Sequence, residues 1–256
     1  MKSLIKKLSK IRFLKHIRSK INLKPVIVDT FDIDKNVSIS DGFLWRTDNN
    51  YVTKFKYLNI LKFFYGINNQ NLRLIFYTKK NFKIKEININ KSDLHGELLI
   101  DKKFMNGLED YGYFCIFHKE NSNQLNNVII SNKCYLGFSK NKNFFSFVHG
   151  NTLVKGEGIY ESFKTSDYIK TSLLKSTKYK IQKNFETYDT NELFLMNPTT
   201  RKLKLKVNDF ETNLDRFEVK NIVIRKTKII EIISNCYFLR PTIFSYKNDN
   251  FDVHHG

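Results

Sequence analysis

Residues 126–151 read NNVIISNKCYLGFSKNKNFFSFVHGN, and residues 228–256 read KIIEIISNCYFLRPTIFSYKNDNFDVHHG. Each stretch opens on a β-branched run and passes through a shared Ile-Ser-Asn…Cys-Tyr word. Each then crosses a Phe-, Lys- and Asn-rich segment and closes on Val-His-Gly or Val-His-His-Gly. Ile130, Ser131, Asn132, Cys134 and Tyr135 align with Ile233, Ser234, Asn235, Cys236 and Tyr237. Runs of this length, rich in β-branched and aromatic residues and bounded by Asn, Lys and Gly, are strand signals. Their recurrence predicts two copies of one β unit, the second shorter.

Working outward, the same rhythm fills most of the chain. NLRLIFYT (71–78), FKIKEININ (82–90), YGYFCIFH (111–118) and CYLGFS (134–139) are separated by polar clusters at the spacing of an antiparallel sandwich or barrel. In FKIKEININ the alternation of Phe82, Ile84, Ile87 and Ile89 with polar residues predicts a strand with one wet face. YLNILKFFYG (57–66) reads as a short helix ending at its glycine. Residues 152–190 have little period-2 character and read as a connecting segment. From Asn191 the strands return, in NELFLM, RKLKLKV and NIVIRK. The expected fold is therefore mainly β: two tandem, related antiparallel sandwich-like units, 25–151 and 191–256, joined by 152–190.

Ahead of them, residues 1–24 carry Leu4, Leu8, Ile11, Leu14, Ile17 and Ile21 at three- and four-residue steps, with Pro25 as a stop. Lysines and arginines cover the other face. Such a cationic amphipathic helix suits an anionic membrane surface, and it equally suits a targeting segment or a helix packed on the domain. The chain's formal charge is +19, of which the first 28 residues supply nine Lys/Arg and no acid. Lys, Asn, Ile, Phe and Tyr share A/T-rich codons, so base composition accounts for much of this charge without a polyanionic partner. Cys115, Cys134 and Cys236 form no CxxC pair, which fits a reducing compartment and a cytoplasmic, membrane-associated protein rather than a disulfide scaffold.

Chemistry-bearing motifs are sparse. There is no GxSxG elbow and no phosphate-binding glycine loop. SDGFLWRTDNN (40–50) holds the sole tryptophan, and Trp45, Arg46, Asp48 and Asn49 have the make-up of a polar-ligand site: an apolar platform beside hydroxyl-anchoring side chains. Tyr111 and Tyr113 offer a second aromatic platform. The competing reading of both is core packing followed by a turn. His149, His254 and His255, with Asp252, would suit a divalent metal if the two His-Gly words converge, and otherwise they simply close strands. These observations favour a non-catalytic binder of a polar ligand or polysaccharide, a carbohydrate first, working at a membrane surface and needing no cofactor. A metal-dependent enzyme with its site between the repeats is the alternative. A basic single-strand nucleic-acid binder, drawing on TRKLKLKV (200–207) and VIRKTKII (223–230), stands third.

Overall fold

The computed structural model describes residues 26–27 and 36–256, apart from 69, 91–92, 122–123, 127, 132–133, 151–152, 161–168, 173, 182 and 237–238. The expected helix over 1–24 lies outside the described residues. The protein is mainly β, built from small, largely antiparallel sheets. Among the described residues no helix is long and apolar enough to cross a membrane.

The larger core lies between two four-stranded sheets. One orders β3 (Phe43–Arg46), β8 (Tyr111–Glu120), β5 (Gln70–Thr78) and β6 (Lys83–Asn90). The other orders β11 (Ser146–His149), β10 (Tyr135–Ser139), β4 (Val52–Leu58) and β7 (His95–Ile100). Phe114 of β8 is the hub, with Phe43, Phe55 and Phe76 ring centroids 4.8–5.4 Å away. Between β4 and β5, the helix α1 (Ile60–Tyr65) starts on Asn59, whose side chain accepts from the Lys62 N–H.

A third sheet sits along one edge: β12 (Leu153–Gly158), β2 (Val37–Asp41) and β9 (Ile129–Ser131). Here VSISD departs from simple alternation, because both faces of β2 are buried. Its serines act as backbone surrogates: Ser40 Oγ accepts from the Ile116 N–H at 2.8 Å and Ser38 Oγ from the His118 N–H at 2.9 Å. Two buried amides of β8 are hydrogen-bonded by side chains in this way. The segment expected as a connection therefore contributes β12 to the first half of the fold. It also supplies β13 (Ile169–Lys170), which pairs with β1 (Val26–Ile27), and β14 (Thr177–Lys180).

The remaining strands make a second sandwich. Its outer sheet orders β14, β19 (Glu231–Ser234), β16 (Leu203–Val207) and β17 (Phe210–Leu214). Its inner sheet orders β18 (Val219–Arg225), β15 (Thr190–Met196), β20 (Thr242–Lys247) and β21 (Asn250–His255). The inner sheet is covered on both faces. Leu193, Leu195, Ile222 and Ile243 enter the second core, whereas Phe194, Met196, Val219, Phe244 and Val253 enter the first. Two-sided burial explains why NELFLM reads as a continuous apolar run. Strands of 191–256 thus reach into the core built by strands of 25–151 as well as into the second core.

The two sequence words form partly similar structures. Residues 135–149 and 242–255 each form an antiparallel hairpin, β10–β11 and β20–β21. Their neighbours differ: β10 lies beside β4, and β20 beside β15. β9 pairs in parallel with β2, while β19 pairs antiparallel with β14 and β16.

Candidate functional site

SDGFLWRTDNN folds as β3 followed by a tight turn, Asp48–Asn50, in which Asn49 and Asn50 take left-handed φ values of 49° and 62°. Asparagine tolerates that conformation, so the turn follows from the sequence. Trp45 takes the core alternative: it is fully buried, and its Nε1–H donates to the Tyr77 carbonyl at 2.9 Å. Tyr113 is also fully buried, stacked on Tyr77 with centroids 4.7 Å apart. Tyr111 is half-buried, edge-on to Phe194. Neither Trp45 nor Tyr113 presents a ring face to solvent, and Asn49 is exposed on the turn.

Arg46 is the centre of a joint rather than of a cleft. Its side chain is 0% exposed, and the guanidinium forks onto Asp48 at 3.0 and 2.8 Å and reaches Glu192 at 2.8 Å. The same group lies over the rings of Tyr51, Phe244 and Phe194, 3.9, 4.5 and 4.8 Å from their centroids. Tyr246 donates to Glu192 at 2.6 Å, and its hydroxyl is 2.9 Å from that of Tyr51. Burial opposes the Arg46 charge. The hydrogen bond and charge of Asp48, with Glu192, outweigh that and raise its pKa above the ordinary arginine value. The phenol of Tyr51 is pushed up to about 12, chiefly by burial. No segment near Arg46 in sequence announces Glu192 or Tyr246, so this network was not visible to sequence reasoning.

The two His-Gly words do meet, through β11 and β21. Ser146 Oγ accepts from the Val253 N–H at 2.9 Å, and the His149 and His255 rings stand 5.9 Å apart. His254, one residue away on the strand, projects to the opposite face. There its Nδ1 is 3.0 Å from Lys183 Nζ and 3.8 Å from Asp252, and its ring is 5.8 Å from Phe185. The three histidines therefore do not share one face. Arg240 Nη2 lies 2.6 Å from His255 Nδ1. A guanidinium only donates, so His255 accepts at Nδ1 and carries its proton on Nε2. That makes it a hydrogen-bond donor beside a fixed cation. Among the described residues no group of three or more His, Cys, Asp or Glu is placed to hold a metal ion. Burial, aided by the nearby Lys183 charge, pushes the His254 pKa down to about 4.

All three cysteines are buried and free. Burial pushes the Cys115 and Cys134 thiols up to about 12, which leaves them protonated and inert.

What the fold does expose is the outer face of the β11–β10–β4–β7 sheet. FFSFVH places Phe145, Phe147 and His149 on one side of the chain at period 2. The Phe145 and Phe147 centroids are 6.2 Å apart, and Tyr135 packs 4.5 Å from His149 on the neighbouring strand. Phe147 lies against Gly137: a Cβ at that position would be 2.7 Å from its Cε1, so only glycine lets the ring rest on β10. Lys54 and Lys56 of β4 approach the rings of Phe145 and Phe147 at 4.4 and 5.2 Å, and both lysines pair with Glu97 of β7. At the hairpin tips the row opens into a cleft of about 400 Å³ lined by Lys140, Asn141, Phe144, Phe145, Asp249 and Asn250 among others. No motif near this ring row marks it as a site, although the period-2 spacing in FFSFVH carries the signal. No family model, no curated protein and no solved structure matches the chain.

Proposed function

We propose that the chain is a non-catalytic binding protein that holds a carbohydrate polymer on the outer face of the β11–β10–β4–β7 sheet. The observation that carries the reading is the row of Phe145, half-buried, with Phe147, His149 and Tyr135, exposed on the sheet and flanked by charged groups of both signs. Flat rings accept the apolar face of a sugar, and short amide and carboxylate side chains such as Asn141, Asp249 and Asn250 accept or donate to hydroxyls. Lys54 and Lys56 are paired with Glu97, and Asp249 lines the cleft at the hairpin tips together with Lys140. A phosphate backbone laid along this row would meet the carboxylates of Glu97 and Asp249 as well as cations, which favours sugar over nucleic acid. The ligand site so placed takes over from Trp45, Arg46 and Asp48, of which only Asp48 keeps some exposure.

The test is electrophoretic retardation of the full chain in gels containing neutral and acidic polysaccharides, beside Phe147→Ala. Retention by one polymer, weakened roughly tenfold in the variant, is expected from loss of one stacking ring. No retention by any polymer would remove the reading. Binding to a single-stranded oligonucleotide that falls steeply with salt would replace it with the nucleic-acid alternative.

Two further parts of the reading stand with it. Residues 1–24 supply contact with an anionic membrane surface, supported by their nine-cation, acid-free stretch within 1–28. Reversing Lys6, Lys7 and Lys10 to Glu in the full chain should then release it from phosphatidylserine vesicles, and unchanged partition would refute that contact. The units 25–151 and 191–256 descend from one duplicated β unit, supported by the two hairpins that end in the His-Gly words. A backbone superposition in which the hairpins differ in twist or strand offset would count against common origin.

A further inference from the structure

Helix α1 is built against the ordinary rule for a short surface helix. Of its six residues only Leu61 is fully buried. Phe63, Phe64 and Tyr65, consecutive in sequence, are 54%, 66% and 48% exposed, and Phe63 and Phe64 pack edge-on to each other with centroids 4.8 Å apart. Three adjacent helical residues fan over more than half a turn, so they cannot all face one core, and the neighbouring elements leave all three outside. Leu94, whose carbonyl accepts from the Asn59 N–H at the start of the helix, adds 38% exposure beside them. The helix is nevertheless firmly held: Asn59 caps it, and Gly66 ends it with a φ of 66° while its N–H returns to Leu61 and Lys62.

We propose that this aromatic turn is a membrane-insertion site, seated in the interfacial layer of an anionic lipid bilayer. The inference rests on the membrane-surface part of the reading above and adds a second point of contact. Three observations select lipid over a protein partner. The patch is small: three aromatic side chains about half exposed offer roughly 250–400 Å², well short of the roughly 800 Å² per partner of a stable protein interface. Its composition is aromatic: two phenylalanines suit the apolar side of the interfacial layer, and a tyrosine supplies a phenol of the kind enriched at the headgroup level. Charge complements it, since Lys62 shares the helix and the nine cations of residues 1–28 belong to the same chain. One cationic amphipathic segment or one aromatic turn gives weak, reversible attachment, and two together give stable attachment.

The experiment uses the full chain with phosphatidylcholine vesicles, with and without phosphatidylserine. Three variants are compared with wild type: Phe63→Ser/Phe64→Ser/Tyr65→Ser, the single Phe64→Trp, and Lys6→Glu/Lys7→Glu/Lys10→Glu. The triple aromatic variant should sediment with phosphatidylserine vesicles at least roughly tenfold less than wild type. In Phe64→Trp the emission should shift to the blue on adding vesicles, while Trp45, already buried, contributes no change. Wild-type partition in the aromatic triple variant, or an unmoved Phe64→Trp emission, would overturn the inference. If the charge-reversed variant alone loses binding, the helix reading stands and this one falls; if the aromatic variants alone lose it, the reverse holds. Wild-type chain that dimerises without lipid, and becomes monomeric in the triple variant, would assign the turn to a second copy and overturn the lipid site.

Discussion

Replacing Arg46 by Met tests whether the buried joint holds the two cores together. The substitution keeps a long apolar side chain among Tyr51, Phe194 and Phe244, so the loss read is that of the charge and its hydrogen bonds. It leaves Asp48 and Glu192 facing each other without their shared cation, at 22% and 17% side-chain exposure. Breaking a buried ion pair from one side costs about 3–5 kcal/mol, and the residual hydration of both carboxylates places this case near about 3 kcal/mol. For a chain of this size that corresponds to a fall in Tm of roughly 6–12 °C and in the urea midpoint of about 1 M. The assay is urea unfolding followed by Trp45 fluorescence, since that ring adjoins the joint in sequence and is wholly buried. One cooperative transition is expected to persist, because the sheet of β18, β15, β20 and β21 still contributes to both cores. Arg46→Lys, which keeps the charge and loses the fork, should lose less than Arg46→Met. A loss below about 1 kcal/mol, or a gain, would refute the reasoning and mean that desolvating the cation offsets all of its contacts.

Two further outcomes follow from single side chains. His254 has its pKa pushed down to about 4 from 6.5, so the unfolded chain binds a proton first as the medium is acidified. Its contribution is therefore present above about pH 6.5 and is lost as pH falls toward 4, by no more than about 3 kcal/mol. Urea midpoints between pH 7 and 5, above the range where most carboxylates titrate, should show the start of the fall in wild type and a flatter line in His254→Gln; equal slopes would refute it. Ser40→Ala should cost about 1–3 kcal/mol, because it removes the hydroxyl that accepts from the buried Ile116 amide while removing almost no volume. Ser40→Thr, which keeps the hydroxyl, should recover part of that loss in the same thermal melts if the acceptor role is right.

The strands were legible where one face is wet or where a run is bounded by turn residues, as in YGYFCIFH, CYLGFS and FKIKEININ. The mainly β class followed from them directly. What escaped has identifiable causes. VSISD looks like an alternating strand with a wet serine face, yet both faces are buried, because hydroxyls of Ser38 and Ser40 stand in for a neighbouring strand. TLVKGEG looked irregular because its glycines and charges mask β12, whose pairing with β2 includes a register shift after Leu153. Trp45 and Arg46 suggested a ligand site by composition alone. Burial of Arg46 depends on partners 146 and 200 residues downstream, which no local pattern encodes. Of the two terminal histidines, period 2 sends His255 toward His149 and His254 to the other face, and only the register of β21 decides which.

That register also ties the exposed ring row to the buried joint. Hairpin β20–β21 carries Phe244, Tyr246 and Phe251 into the cage around Tyr51 and Arg46. Along the same two strands, Ser245 pairs with Asp252 and Thr242 with His255. Asp252 meets Ser146 and His255 meets His149, so the β21 backbone that positions the end of the row is the one locked by the joint. A one-residue slip of β21 would at once turn Phe251 away from Tyr51 and exchange His255 for His254 beside His149. The network of Arg46 therefore reaches the strand beside the row: Tyr246 bonds within it, and Tyr51 packs on Phe251 of β21. Loosening it with Arg46→Met should weaken polysaccharide retention even though Arg46 lies in the interior and touches no ligand.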